Sequence, residues 1–409
     1  MEEIEKIAEE LEIEQGERAA SDPAVKAAIQ TVENFLKKNK VLCYGGTAIN
    51  NLLPPEDQFY DYSKEIPDYD FFSQTPQEHA MTLANQLKKI GIKNIEVKPG
   101  MHLGTFKVFA DFEGVADITE LEPEIFQKLW KENVVRKGIH YVTPDFLRMS
   151  MYLELSRPQG DVSRWTKIYK RLLLLNKHFP VQCHPEGAKK YDPLTKEWKK
   201  QVLKLLRKEN VILLGFPAAD LHLGKAWSSP AMFLATKEVI DKLTKGKKVK
   251  YTKGNEILPD VYSILEPDGS ERFTFYETMA CHSYHSINGF RVASIPTILQ
   301  FLFAYLYTDS KKEEIESAIC VAQSLVNLAH NKPKRRFEIL TPKECMGEQE
   351  SATDIRKNKS VMYEELSKNK SSPEFVRYFF TYNPHAPVTQ RRKARELLHK
   401  TRKTRFGKS

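Results

Sequence analysis

The stretch Val41–Asp70, VLCYGGTAINNLLPPEDQFYDYSKEIPDYD, constrains this chain more than any other. The apolar run Val41-Leu42-Cys43-Tyr44 meets Gly45-Gly46-Thr47. A run of this length bounded by glycine predicts a buried strand. Paired glycines let the backbone come close to a bulky anion, and the start of a following helix aims free N–H groups at it. Asp68-Tyr69-Asp70 then leads into Phe71-Phe72. Side chains alternate along a strand, so Asp68 and Asp70 share one face. They repel each other there unless a divalent cation is shared between them. An anion cradle followed by paired carboxylates predicts an α/β chain that performs phosphoryl or nucleotidyl transfer with Mg²⁺.

A site with two ions, about 3.5–4 Å apart, needs a further carboxylate. Asp117 is the best candidate, because it falls mid-strand between Ala116 and Ile118, where an acid is costly unless it faces metal or water. Asp111 is a worse one, at a predicted hairpin turn spanning Asp111–Gly114. The expected roles follow. Asp68 and Asp70 hold the triphosphate-bound ion and the second ion, and Asp117 helps to hold the second. Gly45, Gly46 and Thr47 hold the β- and γ-phosphates. Gly-Gly alone is weak evidence, and an Asp in a loop more often makes a cap or turn. The combination of strand, GGT, helix, strand-borne DYD and mid-strand Asp is a motif with a structural context to test.

Around this stretch the periodicity predicts helices over 2–15 and from Asp22-Pro23 to about Lys38. Others follow from Thr75-Pro76 to about Lys89, near 122–132, over 145–155 and over 161–177. The second half repeats the first loosely. FLKKNK before VLCYGG aligns without gaps with LLRKEN before VILLGF at an offset of 170, and GIHYVTPDFLRMSMYLEL (138–155) resembles GFRVASIPTILQFLFAYL (289–306). The second copy has Gly215-Phe216 in place of Gly45-Gly46, and no Asp-x-Asp follows. A duplicated unit that has lost its acids serves as structure or as a binding surface. The expected division is N-terminal helices over 1–40, a catalytic domain over 41–185, a degenerate copy over 186–330 and an extension with a basic tail over 331–409.

The net charge of +9 matters because of where it sits: residues 391–409 carry nine Lys/Arg against one Glu. Such a segment is a footprint for a polyanion, or else a solvated tail. KGKKVKYTK (245–253) is a second basic patch. The start of the chain is acidic and has no apolar core of a signal peptide, and no run is apolar and long enough to span a membrane. Five scattered cysteines suit a reducing compartment and argue against disulfides or a zinc ribbon. Cys281-His282 and Cys183-His184 lack a matching second pair at zinc spacing. On the 161–177 helix, Arg164, Lys167 and Arg171 share one face, and Trp165, Ile168 and Leu172 fall on another. Arg164 and Lys167 are the candidates for the triphosphate side; an ordinary solvated basic face is the competing reading. Tyr152 and Tyr169 read better as packed aromatics than as base-stacking groups.

GG[S/T], a D-x-D strand and a third strand Asp form the signature that resembles the polymerase-β-like nucleotidyltransferases. More narrowly, YGGTAINNLLP, PDYDFF, ADIT and SRWTKIYKR resemble the catalytic subunit of poly(A) polymerases from large nucleocytoplasmic DNA viruses, over roughly residues 35–330. The resemblance implies a nucleotidyltransferase fold with a mixed sheet and flanking helices (α+β), followed by a degenerate second copy. It implies template-independent extension of RNA 3′ ends from ATP with Mg²⁺ or Mn²⁺, at a cytoplasmic viral site or in the virion. It also implies a homodimer or a separate processivity subunit as partner, and no membrane. The spacing from Gly46 to Asp68 is longer than usual for the wider superfamily, which makes PPEDQFYDYSKE an inserted loop. The alternatives are a CCA-adding enzyme or second-messenger synthase of the same superfamily, and a catalytically silent RNA-binding protein.

Overall fold

The computed structural model describes residues 2–278, 280–331 and 342–406. The chain forms two compact units, one made of Met1–Thr143 with Ala352–Ser409 and the other of Pro144–Ser351.

The first unit opens with α1 (Glu2–Ser21) and α2 (Pro23–Lys38). Asp22 caps α2 by accepting from the amide of Ala24 at 2.6 Å, and Pro23 sits at the first helical position, where no N–H is needed. Val25, Ala28, Val32, Phe35 and Leu36 form the buried stripe of α2. The larger of these side chains contribute about 1.5–3 kcal/mol each by leaving water. Beneath lies a seven-stranded mixed sheet of β1 (Leu42–Tyr44), β2 (Tyr69–Ser73), β3 (Ile95–Pro99), β4 (Thr105–Ala110), β5 (Glu113–Glu120), β6 (Val134–Arg136) and β7 (Ile139–Tyr141). Its order is β3-β4-β5-β2-β1-β7-β6. Between β1 and β2 run α3 (Gly45–Leu52) and the inserted loop; α4 (Pro76–Lys89) follows β2.

The turn from β4 to β5 falls at Asp111 and Phe112, both with positive φ, as a two-residue hairpin needs. The pairing then slips by one residue. Phe109 faces Gly114, but Val108 faces Ala116, so Val115 is bulged out of the ladder. This shift sets which side chains of β4 share a face with Asp117.

The second unit carries an eight-stranded sheet of β8 (Val211–Leu214), β9 (Ala231–Ala235), β10 (Val249–Thr252), β11 (Val261–Leu265), β12 (Glu271–Glu277), β13 (His282–Ile287), β14 (Phe290–Ala293) and β15 (Cys345–Met346). Its order is β10-β11-β12-β9-β8-β14-β13-β15. Seven of these strands repeat the first sheet in order and in direction, with β9 and β12 parallel like β2 and β5. The bulge recurs between Ile264 and Leu265, at the same distance from the site strand. The internal repeat read from the sequence is therefore a repeat of topology. Helices Pro144–Leu155 and Ile295–Tyr305 follow the matching strands, and the second has ten consecutive buried residues. Tyr152 is buried and stacks on Phe303 with ring centroids 6.1 Å apart, a packed aromatic.

Two features differ from expectation. Four of the five cysteines are paired, Cys183 with Cys320 and Cys281 with Cys345, and only Cys43 is free. The sequence reading against disulfides is thus corrected: partners 137 and 64 residues apart are brought to Cα separations of 4.6 and 5.2 Å, which spacing along the chain cannot reveal. The basic tail is a helix, Val388–Phe406, with Leu398 buried. Its last residues, 407–409, lie outside the described residues, as do 332–341 within the stretch read as an extension. The segment before this helix clasps the sheet edge of its own unit. Tyr382 and Val97 exchange both backbone hydrogen bonds, at 2.8 and 3.1 Å, and Arg377 pairs with the buried Glu120 at 2.8 Å. Among the described residues no helix is long and apolar enough to cross a membrane.

Candidate active site

Strand register assembles the acids. Asp70 lies opposite Tyr44 on β1 and opposite Asp117 on β5. Residues paired across neighbouring strands point to the same face, so Asp70 and Asp117 stand side by side. Asp68 enters just before β2. Its carbonyl accepts from the Thr47 hydroxyl at 2.6 Å, which fixes the acid-bearing segment to α3. Gly45 starts α3 with φ +76°, and a Cβ there would lie 2.6 Å from Asp70 Oδ2. Both conditions demand glycine, so this residue is what allows α3 to begin against the acids. Gly46 follows in the first turn of α3.

Lys107 lies opposite Asp117 on the other side of β5, and its Nζ is 2.7 Å from Asp117 Oδ2. Burial pushes the Asp68 carboxyl up, the negative charge of Asp117 adds to this, and Lys107 opposes it. Burial lowers the Lys107 ammonium, but its hydrogen bond and charge pairing with Asp117, with help from Asp68 and Asp70, leave it raised. All three acids therefore act on one lysine. Their oxygens do not all close to within 4.8 Å of one another. Among the described residues the one His/Cys/Asp/Glu group that tight is Cys183, Glu316 and Cys320, whose sulfurs are bonded to each other.

The same face carries residues that sequence reasoning missed. Tyr44 stacks on Phe72 at 3.9 Å, and its hydroxyl lies 3.0 Å from that of Thr119, which in turn lies 3.0 Å from Thr105. Alternation from Asp70 to Phe72 and from Asp117 to Thr119 was a usable signal for two of them. Lys107 was not legible, because an unbulged hairpin would place it opposite Ala116. Asn50 was also missed. Fully buried, it accepts from the amides of Phe59 and Tyr60 at 2.8 and 2.9 Å and so pins the inserted loop to α3. Two adjacent asparagines inside a helix, poor helix formers, were the available hint.

Arg164 and Lys167 fall in the second unit. Arg164 pairs there with Glu154 at 3.5 Å, while Ile168 and Leu172 form the buried face of the helix Trp165–His178. His282 is buried beside the Cys281–Cys345 bond, with Phe301 5.4 Å from its ring.

At the sites matching the acids, the second sheet has Met232 opposite Leu214 and Thr274 opposite Met232, with Pro230 two residues before Met232. Gly215 keeps the strained φ of +67°, and a Cβ there would strike Met232 Sδ. The glycine–side chain apposition persists, but its carboxylate is gone.

Residues 30–161 match the family model of the poly(A) polymerase catalytic subunit. A putative poly(A) polymerase catalytic subunit of African swine fever virus is 31% identical over 174 residues, which cover 41% of this chain and 36% of that protein. The corresponding protein of Acanthamoeba polyphaga mimivirus is 28% identical over 161 residues, covering 38% and 27%. The chain thus spans about a third of the length of the curated relatives it matches. In fold it is similar to the crystal structure of the Megavirus polyadenylate synthase, with a TM-score of 0.79 and 18% identity over 98% of this chain and 89% of that one. Residues 30–161 are thus similar in sequence to the viral poly(A) polymerase catalytic subunits, and nearly the whole chain shares the fold of the Megavirus polyadenylate synthase.

Proposed function

We propose that this protein transfers AMP from ATP to the 3′-hydroxyl of RNA without a template. The observation that carries the reading is the register of Asp70 with Asp117 beside the glycine that opens α3. The donor set suits a divalent ion: Asp70 and Asp117 are paired on adjoining strands and half-buried, and Asp68 is exposed just before β2, with Lys107 against Asp117. Asp68, Asp70 and Asp117 would hold Mg²⁺ or Mn²⁺. When bound, the ions would make the 3′-hydroxyl a better nucleophile and neutralise charge on the triphosphate. Gly45 and Gly46 offer backbone amides to the β- and γ-phosphates at the start of α3. Thr47 uses its hydroxyl to hold the Asp68 segment, and its amide remains for the phosphates. Arg164 and Lys167, on a helix of the second unit, are our candidates for basic groups that bind phosphate.

The helix Val388–Phe406 presents exposed Arg392, Lys393, Arg395 and Lys400, a charge pattern suited to RNA phosphates. The relatives are called catalytic subunits, which supports a partner chain, whether a processivity subunit or a second copy. Their viral origin supports action at a cytoplasmic viral site.

The test is extension of a short labelled RNA with each nucleoside triphosphate separately. Long A tails are expected from ATP. A fixed three-nucleotide addition, 2′–5′ linkages or no extension would overturn the reading. Neutralising the four exposed basic residues to Gln should weaken RNA binding. Its salt slope should flatten by about 0.7 for each phosphate no longer neutralised; an unchanged slope removes this helix from the RNA path.

A further inference from the structure

Lys107 has no place in the scheme above, yet its ammonium is bonded to Asp117, an acid of the proposed site. It is carried on β4, opposite Asp117, only because of the bulge at Val115. Its side chain is 39% exposed, against 15% for Asp117, so the ammonium reaches the acids from the solvent side. The internal duplication provides an independent control. At the matching positions β11 and β12 carry Ser263 opposite Thr274, two hydroxyls 3.1 Å apart. Where the acids have been lost, the lysine has been lost with them, although strand order and bulge remain.

We infer that Lys107 is the built-in counter-ion of the three acids, holding them in place until a divalent ion displaces its ammonium. This inference rests on the reading of Asp68, Asp70 and Asp117 as metal ligands. Carboxylates crowded on one sheet face repel one another, and an internal cation relieves that repulsion in the metal-free protein. The displacing agent must carry more charge and gather more oxygens than an ammonium can. A divalent ion does both, drawing together carboxylates that now stand too far apart to share one ligand sphere. Lysine suits the task better than arginine, because a point charge on a flexible stem makes no bidentate fork to break. The side chain then swings toward solvent, the direction in which it is already partly exposed. Lys107 is on this account a positioning residue that sets metal affinity.

The experiment measures Mn²⁺ binding to the full chain, without nucleotide or RNA, from the free-ion electron paramagnetic resonance signal, alongside thermal unfolding with and without Mn²⁺. In Lys107→Gln, Mn²⁺ should bind about tenfold more tightly, the scale of one charge pair at a partly exposed site. Its metal-free melting temperature should fall, and most of that loss should vanish when Mn²⁺ is added. In Lys107→Arg, Mn²⁺ should bind several-fold more weakly than in the wild type. Unchanged or weaker binding in Lys107→Gln would overturn the inference. Should that variant fail to fold without metal, Lys107→Arg decides, and binding equal to or tighter than wild type overturns it. Asp70→Asn and Asp117→Asn separate this from the underlying reading. If they leave Mn²⁺ affinity intact, the metal site itself fails; if they abolish it while Lys107→Gln changes nothing, only the counter-ion role fails.

Discussion

The two sheets share strand order, strand direction, a bulge at the same place and a strained glycine that begins a helix against a side chain of the neighbouring strand. They differ in what that frame holds. The first sheet has Asp68, Asp70, Asp117 and Lys107, whereas the second has Pro230, Met232, Thr274 and Ser263. The frame therefore does not require the acids. A sheet of this shape holds a proline, a thioether and two hydroxyls in their place, which supports the proposed roles of the four charged groups in the first sheet. The glycines teach the converse, since Gly215 persists where no acid remains. The positive φ at that position belongs to the strand-to-helix turn of the frame, and the close approach to Asp70 is an added use of it.

The comparison can be broken or sharpened. The largest expected effect is on the acids: Asp70→Ala and Asp117→Ala should each lower AMP incorporation by on the order of 10³-fold or more, with the melting temperature nearly unchanged. Persistent incorporation in either variant would make the two sheets equivalent after all. Next, Met232→Asp with Thr274→Asp should destabilise the protein by about 3 kcal/mol, because Thr274 is buried and no lysine faces it. Denaturant unfolding measures this. A larger stability gain from added Mn²⁺ in that variant than in the wild type would show that the second frame still has site geometry.

Gly45→Ala and Gly215→Ala should cost similar stability, about 1–2 kcal/mol each for the left-handed backbone, but only Gly45→Ala should also lose incorporation. Equal loss from both would give the second sheet a direct part in catalysis. The smallest effect concerns pH. The Asp68 carboxyl is raised in the folded state, by burial first and by Asp117 second. An acid raised on folding holds its proton longer in the native state, so stability falls as pH rises from the ordinary Asp range, about 3.9, through the folded value. The metal-free wild type should lose at most about 1 kcal/mol across that window after solvent screening. Asp68→Asn should not lose it, and parallel pH profiles for the two proteins would contradict the assignment.

Much of this molecule could be read from local pattern. The helices around the first sheet, the hairpin at Asp111–Phe112, the three acids and the repeat at offset 170 all follow from alternation, capping, turn chemistry and self-similarity, which are properties of neighbouring residues. Other features depended on partners distant in the chain. Four cysteines found each other across 137 and 64 residues. Tyr382 joined the edge of a strand nearly three hundred residues earlier, and a segment read as an extension became part of the first unit.

Asp117 and Lys107 mark the boundary between the two kinds of knowledge. The sequence alone determined that Asp117 is an acid in mid-strand with an alternating neighbour pattern, because the period of two is built into the extended backbone. That Lys107 is its partner was decided only by the folded sheet. One bulged residue, Val115, shifts the hairpin register by a single place. A one-residue shift changes which side chains meet on a face, and no count along the chain reports whether it has occurred.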